Sequence, residues 1–163
     1  MIAICNEEEL ALLPKWFVEI IGMHCEDSLV NIKTNNIVVE LRKRVQGFET
    51  DVVVTCRSGS RRVLIGFELK KDNLDEAVKQ AVERRALFHY FYVVLHLPVR
   101  AILSKLRYHH EAFENGIGFV SAVDDAVVIR SYSRRHWRES ASYTYTLLSY
   151  MKEDGSDEAQ QNY

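Results

Sequence analysis

Long apolar runs are missing from this 163-residue sequence, no Cys-x-x-Cys pair occurs in it, and it has only two prolines, Pro14 and Pro98. The first absence excludes a membrane-spanning helix, which needs about 20 consecutive apolar residues. The start of the chain lacks a basic stretch followed by an apolar core, so an intracellular, cytoplasmic protein is expected. Three cysteines, Cys5, Cys25 and Cys56, cannot all pair within one chain, and their spacing offers no zinc site. Buried or half-buried thiols are expected, with a Cys5–Cys25 disulfide as the alternative. An excess of one charge is lacking too: 21 Lys and Arg against 23 Asp and Glu leave a net −2. That balance excludes neither nucleic acid nor acidic partners, because local patches count for more than the sum. No internal repeat is present.

The remaining composition is that of a globular chain, 47% hydrophobic and 27% charged, long enough to bury a core. One domain over residues 1–151 is expected, followed by a polar, aperiodic tail at 152–163. Asn6 can cap a first helix, with Glu9 in capping-box position and an apolar stripe through Leu10, Leu13, Phe17, Ile20 and Ile21. Pro14 either kinks that helix or begins a second, and Gly22 is a plausible stop. Residues 27–36 read as irregular chain. A strand then covers Ile37 to Val45, and Gln46-Gly47 makes a tight turn into the next. Asn73 caps a long helix reaching about Phe88. Tyr90 to Leu97 is apolar throughout, as in a strand buried on both faces and parallel to its predecessor. Pro98 starts a helix from Val99 to about Phe113, ending at Asn115-Gly116. Strands at 117–123 and 126–132 flank a turn at Asp124-Asp125. Residues 141–151 fit helix or strand equally.

The chemistry concentrates in the runs Phe48 to Val54 and Val63 to Lys70, two strands joined by a turn around Gly59. Side chains alternate faces along a strand, so Glu68 and Lys70 point the same way and Asp51 joins them from its neighbour. Charges converging on an apolar sheet cost several kcal/mol or more unless they pair or bind a cation. Mg²⁺, with Mn²⁺ as a substitute, prefers oxygen ligands, commonly one or two carboxylates with waters retained. Asp51 and Glu68 supply the carboxylates, the Leu69 backbone carbonyl can add an oxygen, and Lys70 can orient a water or stabilise developing charge.

The order α-β-β-β-α-β, with Asp51 in mid-sheet and Glu68-Leu69-Lys70 on the following strand, resembles the PD-(D/E)XK nuclease superfamily over roughly residues 7 to 130. Thr50 stands where the motif commonly has proline. The resemblance implies a restriction-endonuclease-like α/β core, a central mixed sheet of four to five strands flanked by helices. It also implies Mg²⁺-dependent hydrolysis of DNA phosphodiester bonds. Members of the superfamily often add a first-helix acid, matched best by Glu19 and next by Glu26, and a polar residue on the following helix, matched by Gln80. Holliday junction resolvases, restriction enzymes and nuclease-like proteins of archaeal viruses belong to it. A homodimer acting on branched DNA is therefore expected, without a membrane or an organic cofactor.

Several cations are candidates for nucleic-acid contact: Arg42 and Arg44 on an early strand, Arg84 four residues after Gln80, and Arg134, Arg135 and Arg138 around Trp137. His109, His110 and His136 read as surface histidines. The alternative function is a catalytically inactive module of the same fold, with Asp51 and Lys70 as a structural ion pair and the basic clusters binding nucleic acid or a partner.

Overall fold

The strands of this chain lie side by side in the order in which they are made. The structure, a computed structural model, describes residues 1–26, 28 and 36–133. The expectations for residues 27 and 29–35, for the basic run at 134–138, for 141–151 and for the tail at 152–163 lie outside the described residues. Among those described, one mixed sheet holds β1 (Ile2–Ile4), β2 (Ile37–Val45), β3 (Phe48–Ser58), β4 (Arg61–Lys70), β5 (Tyr90–Leu95), β6 (Gly118–Ser121) and β7 (Ala126–Ile129). β1 to β4 pair antiparallel, β4, β5 and β6 run parallel, and β7 returns antiparallel to β6. The α/β class with a central mixed sheet and flanking helices is observed. Seven strands replace the expected four or five, because β6 and β7 extend the sheet at one edge. At the other, β1 is too short for its alternation to show in sequence.

Turn chemistry sets the hairpins. Gln46 (φ 48°) and Gly47 (φ 89°) both sit in the left-handed region that a two-residue strand connection needs. Asn73 caps α3 (Leu74–Arg84), its side-chain oxygen accepting the Glu76 N–H at 3.1 Å. The helix continues as a short 3₁₀ turn, Arg85–Leu87.

The two sheet faces bury separate sets of side chains. On one, α3, α4 (Val99–Leu106) and α5 (His110–Glu114) pack Leu74, Ala77, Val78, Ile102 and Leu106 against Val53, Phe91, Val93, Leu95 and Phe119. On the other, α2 (Lys15–His24), which follows the short α1 (Glu7–Ala11), packs Phe17, Ile20 and Ile21 against Val54, Ile65, Phe67 and Tyr92. A Cys25–Cys56 disulfide, Cα to Cα 6.0 Å, ties the end of α2 to β3, and Cys5 is free. This overturns the expected thiols at Cys25 and Cys56 as well as the Cys5–Cys25 alternative: β1 leaves Cys5 on the N-terminal side of α1, while Cys25 ends α2 over β3.

Gly22 does not stop α2, which runs on to His24. The single helix expected from Val99 to Phe113 is broken at residues 107–109. There His109 bridges Asp75 (2.7 Å) and Glu111 (3.6 Å), so it is a partnered residue and not a bare surface histidine. α2 and α4 both start after prolines, which offer no side-chain cap. The Asp124-Asp125 turn supplies the missing acceptors. Asp125 takes the N–H groups of Lys15 and Trp16 at 3.2 and 3.0 Å, and Asp124 takes that of Val99 at 2.8 Å. Arg85, buried, donates to the carbonyls of Asn115 (2.7 Å), Phe88 (2.8 Å), His89 (3.1 Å) and Tyr132, joining three stretches of backbone. No helix among the described residues is long and apolar enough to cross a membrane.

Close packing at Gly66 provides a test of this arrangement. A Cβ there would lie 2.6 Å from the Phe91 ring, inside van der Waals contact. Gly66→Ala therefore forces the ring out of its place in the core, with an expected loss of about 1–3 kcal/mol in a urea unfolding titration.

Candidate active site

β3 and β4 bring the sequence-predicted trio together. Val52 pairs with Phe67, so the next rung sets Asp51 beside Glu68, and alternation turns both, with Lys70, onto the face covered by α3. The Asp51 Oδ2 accepts the Leu69 N–H at 2.8 Å, which fixes one carboxylate against the backbone between Glu68 and Lys70. Glu68 is only 5% exposed. Its Oε2 is buried without a hydrogen-bond partner, and so is the Oε1 of Gln80.

α3 sets the electrostatics. Glu76, Gln80 and Arg84 are spaced four apart and share one stripe of the helix. Glu76 meets Lys70 Nζ at 3.5 Å. Arg84, its side chain 13% exposed, donates to the carbonyls of Glu49 and Gln80, each at 3.0 Å, and lies over the Phe48 ring. Burial pushes the Glu68 carboxyl up from 4.5 to about 7, and the Asp51 charge pushes the same way. Arg84 and Lys70 pull it down, and Glu76 adds a smaller upward push.

The remaining candidates are distributed as follows. Glu19 is exposed on α2, which packs on the opposite sheet face, so the sheet separates it from the Asp51–Glu68 pair. Glu26, also exposed, follows the end of that helix. Arg84 is held inward beside Glu68 and does not project as a free phosphate contact. Arg42 (φ 49°) and Arg44 are exposed on β2. Arg134, Arg135 and Arg138 lie outside the described residues. Lys70 pairs with Glu76 and not with Asp51, which replaces the ion pair of the inactive-module expectation. Glu76 was missed as a member of the site. Its spacing from Gln80 was the available signal, masked by its role as an ordinary first-turn acid.

Among the described residues no three His, Cys, Asp or Glu side chains gather as a metal cluster. The acidic set here is the pair Asp51 and Glu68. A hard cation that keeps most of its waters needs only one or two carboxylates, and a buried carboxylate oxygen without a partner is a suitable ligand for it. The residues present fit such an ion. Comparison with protein-family models, with curated proteins and with solved structures finds no match to this chain.

The raised Glu68 pKa fixes the sign of a pH effect. A carboxyl whose folded pKa lies above its unfolded value contributes stability that is fully present below about 4.5 and lost as pH rises through about 7. Glu68→Gln removes that titration. Thermal melts at pH about 5 and about 8 are expected to show the variant gaining on the wild type at the higher pH. Mg²⁺ at the higher pH is expected to raise the wild-type Tm and leave the variant's unchanged.

Proposed function

We propose that this chain is a Mg²⁺-dependent nuclease that hydrolyses DNA phosphodiester bonds on a restriction-endonuclease-like core. The observation that carries the reading is the Asp51–Glu68 pair on adjacent strands, with a partnerless, buried Glu68 oxygen, beside Lys70. Asp51, Glu68 and the Leu69 carbonyl are the groups that would hold the cation. When bound, the ion polarises a phosphate oxygen and makes water a stronger nucleophile at neutral pH. Asp51 is oriented for this by the Leu69 N–H. Lys70, held at 3.5 Å by Glu76 and partly exposed, is the mobile cation that can turn to a phosphate oxygen or an attacking water. Arg84 stays on its two carbonyls and helps keep Glu68 ionised. Gln80, with a buried acceptor, is placed on the same helical stripe to orient a water. Branched DNA and a homodimer complete the proposal, as the sequence resemblance implies.

The inactive-module reading is favoured by one observation, the Lys70–Glu76 contact, which occupies the lysine. Calorimetric titration with Mn²⁺ separates the two readings, since saturable binding belongs to the nuclease. Linear, flap and four-way-junction DNAs incubated with Mg²⁺ or Mn²⁺ are expected to be cut by the wild type. Asp51→Ala, Glu68→Ala and Lys70→Ala are each expected to lose about a hundredfold or more in rate while keeping the fold. Equal product from wild type and Glu68→Ala would assign the cutting to a contaminant and end the reading.

A further inference from the structure

Among the described residues, the helices leave the distal part of β2, β3 and β4 uncovered on the face that carries Asp51 and Glu68, and a trough of about 800 Å³ lies there. Val38, Glu40, Thr55, Arg57, Arg62 and Leu64 line it with the parity that alternation assigns to Asp51 and Glu68. Lys43 and Arg44 line its other end. Four cations thus face one carboxylate, Glu40, which is already taken by Lys43 at 2.7 Å. The chain as a whole is net −2, so this concentration of positive charge is local.

The distal end has a feature that a solvated sheet edge does not require. Arg57 and Arg62 are direct partners across the ladder, and like charges set opposite one another destabilise a strand pair. Among the described residues neither guanidinium has an acidic partner. From the Arg57–Arg62 rung to the Lys43–Thr50 rung is seven residues of β3, about 24 Å at strand rise. A small anion cannot bridge the two ends. A polymer with one phosphate per about 3.4 Å of each strand can.

We infer that this trough is a docking surface for the phosphodiester backbone of duplex DNA, with Arg57 and Arg62 as the contacts farthest from the Asp51–Glu68 pair. The choice of DNA as the polyanion rests on the nuclease reading; the basic trough does not. The backbone runs along β3, so a strand held at Arg57 and Arg62 is led along the same sheet face toward Asp51.

Fluorescence anisotropy with a labelled DNA duplex in EDTA tests binding apart from cutting. The wild type is expected to bind with a steep salt dependence. Arg57→Gln/Arg62→Gln is expected to weaken binding about tenfold or more and to shrink the log K against log salt slope by about 2. Arg57→Lys/Arg62→Lys, which keeps the charges, is expected to retain most of the slope. An unchanged affinity and slope in the Gln pair overturns the proposal. So does displacement of the duplex by a poly-glutamate peptide as effective as that by unlabelled duplex, which would assign the trough to acidic protein. The Mg²⁺ effect on Tm, read on the same samples, reports on the pair alone, and cleavage by the wild type tests the nuclease reading. Binding lost in the Gln pair beside absent cutting in the wild type sinks the nuclease and leaves the trough. Cutting with no effect of the Gln pair does the reverse.

Discussion

Glu68 is a carboxylate held on a sheet face beside Val53, Phe91, Val93 and Leu95, under a helix that packs alanines and leucine onto it. Burial favours its neutral form, and Asp51 alongside makes ionisation harder still. Two cations oppose that, and they are held differently. Arg84 is fixed by the Glu49 and Gln80 carbonyls, so its charge is a permanent part of the wall. Among the described residues Lys70 is held by Glu76 and is more exposed, so it is free to exchange that partner for another anion. A carboxylate poised near neutrality beside one fixed and one movable cation responds strongly to a new charge, whether a metal ion or a phosphate. In a purely structural ion pair the partners would be closed on each other, leaving no orphaned oxygen at Glu68.

Holding that balance requires α3 to sit accurately, and the means lie far from the site. The adjacent aspartates at 124 and 125 cap helices on opposite faces of the sheet, each helix beginning after a proline that cannot cap itself. Arg85, just past the end of α3, gathers the carbonyls of residues 88, 89, 115 and 132 and locks the helix exit to the ends of β5 and β6. His109 ties Asp75, in the first turn of α3, to the start of α5. The helix over Glu68 is therefore anchored at both ends.

Much of this was legible in the sequence. Alternation in the strands from Ile37 to Lys70, the Gln46-Gly47 turn, the Asn73 cap and the apolar run at Tyr90 place β2 to β5 and α3 within a few residues, and they put Asp51, Glu68 and Lys70 on one face. The rest depended on partners distant in sequence, which periodicity does not report. The three residues of β1 are too few to alternate, and His109, at the break over residues 107–109, meets Asp75 more than 30 positions away. Glycine at 22 reads as a stop, but tertiary packing of Phe17, Ile20 and Ile21 carries α2 past it. Cys25 and Cys56 are joined because α2 crosses β3, a fact of topology. Glu19 had a suitable distance from Asp51 along the chain, yet its helix belongs to the other face. Arg84 presents the same lesson in reverse: a cation on a helix surface pattern is turned inward because Phe48 and the Glu49 carbonyl meet it.

The acidic pair and the basic trough are consequences of a single register. The turn at Gln46-Gly47 and the one at Gly59, each with backbone in the left-handed region, fix how β2, β3 and β4 align. That alignment makes Asp51 the neighbour of Glu68 and Arg57 the neighbour of Arg62, six positions apart along β3 and so on the same face. A slip of one residue would send both sets to the face of Phe67 and Ile65, burying charge in the α2 core. The opposed arginines weaken the ladder at its far end, while the opposed carboxylates weaken it near α3. Each repulsion would be relieved by a ligand of the other sign, a cation at one end and a polyanion at the other. Those two ligands attract each other, so a metal ion at Glu68 and a phosphate chain along β3 would reinforce one another's binding.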